Sequence, residues 1–322
     1  MQNIGVFTSG GDAPGMNAAI RAVVRTALYY NVGVKGIVNG YDGLINGDII
    51  DMNSRSVANI IQRGGTILKT SRSEEFRTVE GRLKAAQTVK EHNIEGLVAI
   101  GGDGTFTGAE IFCRETGITV MGVPGTIDND LYGTDYTIGF DTAINTAIDA
   151  IDKIRDTADS HNRVFLVEVM GRHAGFIALE VGIGGGAEAI LIPEEETNID
   201  DLINFFSKEK RKQKSFSIIV VAEGDDAGGA FDIAKKMEAA IPGFDPRVSV
   251  LGHIQRGGKP SAYDRLLGSR LGSGAVIELL EGETNKMVGL VSNELVLTSF
   301  AEAIGKRKQV DRSLLKLATI LA

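Results

Sequence analysis

At 322 residues, with 43% hydrophobic and 24% charged residues, the chain has a globular composition and is too long for one comfortable core, so two domains are expected. A net charge of −8 argues against general affinity for nucleic acid or anionic membranes, and any anion site must be locally basic. The single cysteine, Cys113, excludes an internal disulfide framework and a cysteine-rich zinc site, while 41 glycines against six prolines point to many tight turns. The opening residues lack the basic region and cleavage site of a signal peptide, and no segment approaches the roughly 20 apolar residues that span a bilayer. A soluble, cytoplasmic protein is expected.

Apolar runs at 4–7, 34–38, 97–100, 120–123, 164–170, 189–192, 218–222 and 248–254 read as buried strands. Helix-length stretches with apolar residues three to four apart lie among them at 16–30, 143–157, 199–212 and 263–280. This alternation predicts an α/β protein built of βαβ units, with parallel sheets covered on both faces. Ligands then bind beyond the carboxyl ends of the strands, and nearly every unusual motif begins where an apolar run stops. No linker or internal repeat marks a domain boundary, so the chain is expected to cross between domains several times.

The first motif, TSGGDAPGMN at 8–17, follows the first strand and opens the first helix. Its glycines can bring backbone N–H groups to a phosphate at a helix N-terminus, although a turn that only starts a helix would look the same. GGDGT at 101–105 offers close approach at its glycines, a carboxylate for Mg²⁺ at Asp103 and the hydroxyl of Thr105; a solvated glycine-rich turn is the alternative. PGTIDND at 124–130 places Asp128 and Asp130 two residues apart after a strand. That spacing suits a base acting on a sugar hydroxyl and a second carboxylate orienting metal or substrate, and also suits turn residues. Later strand ends carry Arg163, Arg172, Arg247 and Arg256, with Glu223 after the 218–222 run. Forked guanidinium donors suit a phosphate ester, whereas salt bridging accounts for any one arginine taken singly. Among the histidines, His253 reads as a substrate hydrogen-bonding group; no cluster suggests a metal site.

Taken together, TSGGDAPGMNAAIRAVVR at 8–25, GGDGT, PGTIDND, DKIRDTADSH, MGRHAG and LGHIQRGG at 251–258 resemble the bacterial ATP-dependent 6-phosphofructokinase family over essentially the whole chain. The resemblance implies two Rossmann-like three-layer αβα domains: an ATP-binding domain of 1–139 plus about 256–305, and a sugar-phosphate-binding domain of 140–255 plus about 306–322. It implies transfer of the γ-phosphate of MgATP to the 1-hydroxyl of fructose 6-phosphate. Carried over, Gly11, Arg72, Ser73, Gly102, Asp103, Gly104 and Thr105 line the ATP site, with Asp103 on Mg²⁺. Asp128 becomes the base, and Thr126, Asp130 and Arg172 support the transferring phosphoryl group. Ile127, Met170, Gly171, Glu223, His253, Ile254, Gln255 and Arg256 shape the sugar-phosphate pocket.

Members of this family are homotetramers in which a neighbouring subunit grips the sugar phosphate, a role falling on Arg163 and Arg247. An effector site for ADP or phosphoenolpyruvate is matched by Arg21, Arg25, Arg155, Gly186, Glu188, Lys212 and Lys214. Asn59 stands there where aspartate is usual, Ser54 replaces an arginine of some members and Phe216 replaces a common histidine, so altered or absent allostery is expected. The pyrophosphate-dependent branch usually has aspartate in place of Gly104 and lysine in place of Gly125, which favours ATP as donor. A non-catalytic nucleotide sensor has no evident need of both Asp103 and Asp128. Lipid and NAD kinases share the glycine-aspartate signal but lack the TIDND, MGR and HIQRGG set.

Overall fold

The computed structural model describes residues 1–161, 163–211 and 216–321. In chain order the elements are β1 (Asn3–Thr8), α1 (Met16–Tyr29), β2 (Gly33–Ile37), α2 (Gly40–Asn46), β3 (Ile49–Met52), α3 (Val79–Glu91), β4 (Gly96–Gly101), α4 (Asp103–Thr116) and β5 (Val120–Pro124). They continue with α5 (Phe140–His161), β6 (Val164–Val169), α6 (Phe176–Gly184), β7 (Ala189–Leu191), α7 (Ile199–Arg211), β8 (Ser217–Ala222), α8 (Ala230–Ala240) and β9 (Arg247–Val250). The last are α9 (Ala262–Leu280), β10 (Lys286–Val291), β11 (Glu294–Ser299), α10 (Phe300–Gly305) and α11 (Arg312–Leu321). The apolar run expected to be strand over 248–254 is strand only to Val250; Gly252–Arg256 is a 3₁₀ turn, entered at Gly252 with φ +53°.

These elements fall into two units that exchange the chain repeatedly. The first holds Met1–Ile127, Leu131–Thr142 and Arg256–Lys308; the second holds Asp128–Asp130, Ala143–Gln255 and the chain from Gln309 onward. In the first unit a seven-stranded sheet runs β11-β10-β5-β4-β1-β2-β3. Its five central strands are parallel, and β3 and β11 close the edges antiparallel. Adjacent residues of β4 show how the layers form. Leu97 packs among Phe7, Phe106 and Phe112 under α4, whereas a Cβ on Gly96 would meet Leu279 of α9 on the other face. On that second face α1 and α9 pack closely because Gly268 and Gly272 have no side chains: a Cβ on Gly272 would lie 2.6 Å from the Ala19 carbonyl oxygen.

Chain order reverses direction at the β1–β4 pair, since β2 lies on one side of β1 and β4 on the other. The helices that follow, α1 and α4, leave to opposite faces, which opens a crevice at the carboxyl ends of these two strands. The second unit repeats the device with a four-stranded, all-parallel sheet, β7-β8-β6-β9. Here α6 packs by Gly182 on Ile190 of β7, while the neighbouring Leu191 joins α7 and α8 in a core of Leu202, Phe206, Ile233 and Met237. Thus α6, after β6, and α8, after β8, also leave to opposite faces.

One buried carboxylate joins distant parts of the first unit. Asp264 in α9 is fully buried, and its Oδ1 accepts the Gly139 N–H at 2.7 Å. Its Oδ2 accepts the Thr142 N–H at 2.8 Å and the Thr142 hydroxyl at 2.5 Å. The first N–H groups of α5 have no partner within their own helix, and an acid from another helix supplies one. Burial pushes the carboxyl up to about 6 from an ordinary 3.8, against the opposing pull of these bonds. The folded state therefore holds this proton more tightly than the unfolded state. The contribution of Asp264 to stability is greatest below about pH 4 and declines as pH rises through about 6.

Replacing Asp264 with alanine leaves these donors buried without an acceptor, at about 1–3 kcal/mol each. Urea unfolding at pH 7 is expected to show a loss of several kcal/mol, and the variant should lack the decline between about pH 4 and 6 that this group gives the parent. A loss below about 1 kcal/mol would mean that desolvation of the carboxylate cancels its bonds.

Candidate active site

Three loops leave the first sheet side by side. Thr8 is in register with Ile100 and Gly101 with Pro124, so the ends of β1, β4 and β5 share one edge. The Ser9 N–H donates to the Ile100 carbonyl at 3.0 Å and the Gly125 N–H to the Gly101 carbonyl at 2.9 Å. The TSGG, GGDGT and PGTIDND segments are thereby tied in parallel at the switch point. Asp103 is exposed at the first position of α4, following Gly102, and a Cβ on Gly102 would lie 3.4 Å from the Cβ of Thr126. Gly104 has open space around it.

Thr105 does something other than present its hydroxyl outward. It is buried, and Oγ1 donates to the Ser9 carbonyl at 3.0 Å while its own carbonyl accepts the buried Tyr41 phenol at 2.6 Å. Its side chain locks the second loop to the first. A fourth segment is stitched on: the Gly10 N–H donates to the Ser71 carbonyl, and the Thr70 hydroxyl donates to the Gly10 carbonyl at 2.8 Å. This brings in the exposed Arg72 and the half-buried Ser73 directly after it in the chain. Asn17, whose role sequence reasoning missed, fixes the far end of that segment. Its Nδ2 donates to the carbonyls of Arg63 and Gly64 at 3.1 and 3.2 Å, and its Oδ1 accepts the Ile67 N–H at 2.8 Å.

Arg256 lies against the first loop. A Cβ on Gly11 would fall 1.8 Å from its Nη1, so any side chain there would have to push the guanidinium aside. Its neighbour Gln255 is fully buried with Nε2 donating to the Gly252 carbonyl at 3.2 Å, which makes Gln255 an internal brace of the 3₁₀ turn. His253 and Ile254 on the same turn are exposed. At the end of the PGTIDND loop Ile127 and Asp128 are buried and Asp130 is half-buried. Asn129 between the aspartates takes φ +53°, a left-handed conformation that asparagine tolerates better than most residues.

At the switch point of the second unit, Met170, Gly171 and Arg172 follow β6, and Glu223 follows β8. Val169 is in register with Ala222, and the Glu223 N–H donates to the Val169 carbonyl at 3.0 Å. Arg163 precedes β6 and Arg247 opens β9, paired in register with Phe165. Both stand at the amino ends of the strands, six residues of β6 away from the Met170–Arg172 turn, a span of about 20 Å. The structure thus brings Met170, Gly171, Arg172 and Glu223 together and puts Arg163 and Arg247 at the opposite edge, where Arg247 pairs with Asp245 at 2.9 Å.

The residues matched to an effector site form two groups. Arg21 and Arg25 lie one turn apart on α1, and Asn59 is left-handed at φ +56°. In the second unit Arg155 of α5 donates to the carbonyls of Gly185 and Gly186 and lies over the Phe216 ring, 5.5 Å from its centroid. Glu188 accepts the Ile218 N–H at 2.6 Å. Lys212 and Lys214 lie outside the described residues.

The phosphofructokinase family model matches residues 3–279. The ATP-dependent 6-phosphofructokinase 1 of Thermus thermophilus is 58% identical over 322 residues, all of both chains. The ATP-dependent 6-phosphofructokinase of Cytophaga hutchinsonii is 56% identical over 99% of this chain and 97% of its own. Among solved structures, phosphofructokinase from Saccharomyces cerevisiae superposes with a TM-score of 0.89 at 36% identity; all of this chain is covered, and it spans 47% of the yeast chain. A pyrophosphate-dependent phosphofructokinase from Marinobacter aquaeolei shares the fold at a TM-score of 0.84 and 24% identity, over 97% of this chain and 86% of that one. The chain belongs to the phosphofructokinase family.

Proposed function

We propose that this chain catalyses ATP-dependent phosphorylation of fructose 6-phosphate at its 1-hydroxyl, giving fructose 1,6-bisphosphate, a kinase step of glycolysis in the cytoplasm. The observation that carries this reading is the alignment of three strand-end loops, two of them glycine-rich, on one sheet edge at a switch point, with a buried aspartate at the end of the third. The first unit acts as the ATP-binding domain: Gly11, Arg72, Ser73 and Gly102 to Thr105 receive the nucleotide, whose phosphates meet main-chain N–H groups and the N-terminus of α4. The second unit acts as the sugar-phosphate-binding domain through Met170, Gly171, Arg172 and Glu223.

Asp128 takes the proton of the sugar 1-hydroxyl as its oxygen attacks the γ-phosphorus, and the bond from that phosphorus to the β-phosphate oxygen breaks. Thr126, Asp130 and Arg172 support the phosphoryl group in transit, Arg172 by countering charge spread over its oxygens. Mg²⁺ would be held by Asp103 together with the nucleotide phosphates. Among the described residues no three His, Cys, Asp or Glu side chains gather into a cage, and one exposed carboxylate beside phosphates is a donor set Mg²⁺ accepts. When bound, the ion neutralises phosphate charge. His253, Ile254 and Arg256 contribute to the sugar-phosphate grip. Arg163 and Arg247, set at the far edge of their own sheet, suit service to a neighbouring copy in a homotetramer.

ATP rather than pyrophosphate is supported by the two glycines that distinguish the branches. Gly104 has open space where a nucleotide phosphate would run, and Gly125 is hemmed by Ile100 and Met16, each 3.1 Å from where a Cβ would sit. Regulation is the point of departure. Arg155, one of the cations matched to the effector site, is already engaged by two carbonyls and the Phe216 ring. We infer weak or absent control by ADP and phosphoenolpyruvate.

Replacing Asp128 with asparagine should lower kcat by about 10²–10⁴-fold while leaving nucleotide binding near that of the parent. Turnover within a few-fold of the parent would remove Asp128 from the role of base. The donor assignment predicts faster turnover with MgATP than with pyrophosphate. Gly104→Asp should fold normally, having room, yet lose about tenfold or more in kcat/KM for ATP; equal turnover of the parent with both donors overturns the assignment. For regulation, initial rates across fructose 6-phosphate concentration with and without ADP or phosphoenolpyruvate should superimpose within about twofold. A shift of about fivefold or more, the lower range of ordinary allosteric coupling, would show a working effector site.

A further inference from the structure

Arg172 has a backbone that an arginine rarely adopts. Its φ is +54°, and it follows Gly171 at φ +144°, so the turn after β6 runs through two successive positive-φ residues. A non-glycine residue stays in that region only where its surroundings hold it. The holding group is the side chain of Glu223 from the neighbouring strand end: its Oε1 accepts the Arg172 N–H at 2.8 Å and the Gly171 N–H at 3.3 Å. Gly224 closes the turn from the other side, since a Cβ there would lie 1.8 Å from the Arg172 carbonyl oxygen. Glu223 is itself anchored by its N–H to the Val169 carbonyl at 3.0 Å. The direction in which the Arg172 side chain leaves the main chain is therefore fixed by a carboxylate, and that carboxylate is exposed.

We propose that Glu223 is a positioning residue for phosphoryl transfer, acting through the main chain of Gly171 and Arg172 to aim the Arg172 guanidinium, in addition to any contact it makes with the sugar. The proposal rests on the reading of Arg172 as the group that counters phosphoryl charge, and the test separates the two. Both bonds end on one oxygen, so glutamine retains the acceptor while leucine removes it. Serine, polar and too short to reach, serves as a second variant at an exposed position.

The measurement is kcat at saturating MgATP and fructose 6-phosphate for Arg172→Leu, Glu223→Gln, Glu223→Leu, Glu223→Ser and the Glu223→Leu/Arg172→Leu double variant, each held below its own Tm. Arg172→Leu should lower kcat by about 10²–10³-fold, as loss of a charge-countering donor does. Glu223→Leu and Glu223→Ser should lower it by about tenfold or more, with Glu223→Gln within about threefold of the parent. The double variant should be about as slow as Arg172→Leu alone, because the two side chains act as one unit. If Glu223→Leu and Glu223→Ser raise only the KM for the sugar phosphate, or if the two losses in kcat multiply, Glu223 does not position Arg172. If Arg172→Leu itself retains the parent's kcat, the reading of Arg172 fails instead.

Discussion

Two neighbouring parallel strands that send their following helices to opposite faces of a sheet cannot have their carboxyl ends covered by either helix, and each unit of this chain contains such a pair. In the first it is β1 with β4, in the second β6 with β8. The main-chain N–H groups just past these uncovered ends still need acceptors. Some find them in the last carbonyls of the neighbouring strand β4, as Ser9 and Gly125 do, and some in side chains, as Gly171 and Arg172 do in Glu223. The remaining functional geometry is arranged around those openings. A net charge of −8 is compatible with anion binding at such ends, because main-chain dipoles and helix starts supply positive potential locally.

Central strands such as β4 and β5 were legible in sequence because they are buried on both faces and read as unbroken apolar runs, whereas the parallel strand β10, with MVGLV at 287–291, was not read as one. Those burial patterns extend through β1, β4, β5 and β8. The antiparallel edges escaped notice for the converse reason: β3 and β11 are covered unevenly and mix acidic with apolar residues over a few positions. Helix α6, FIALEVGIG, is apolar nearly all round, and periodicity cannot distinguish a buried helix from a strand. The run at 248–254 misled because its apolar character continues past Val250 while Gly252 turns the backbone.

The motifs do fall where strands end, without revealing the bonds made within them. Thr105 looks like a phosphate-facing hydroxyl in sequence and is an internal tie to Ser9; Gln255 sits in a substrate motif and braces its own turn. Asn17 and Asp264 were missed as organisers because their bonds reach 46 to 50 and 122 to 125 residues along the chain. No local pattern encodes a contact of that range. What sequence does offer is a polar residue at a helix start, Asn17 after the glycine loop and Asp264 just after Ser261, where a side chain has a reason to be held.

Position along a parallel strand settles a further point about the arginines. The two edges of a parallel sheet are chemically unequal: amino ends on one, carboxyl ends on the other, separated by the length of the strands. Arg163 and Arg172 bracket the six residues of β6, so one chain cannot bring both to a single small phosphate ester without unravelling that strand. Arg163 and Arg247 stand at the amino-end edge, where Arg247 is engaged by Asp245. The same separation leaves the turn after β6 without either of these two cations, and the guanidinium set there is that of Arg172, which makes the aim of that one side chain, and the carboxylate that fixes it, matter the more.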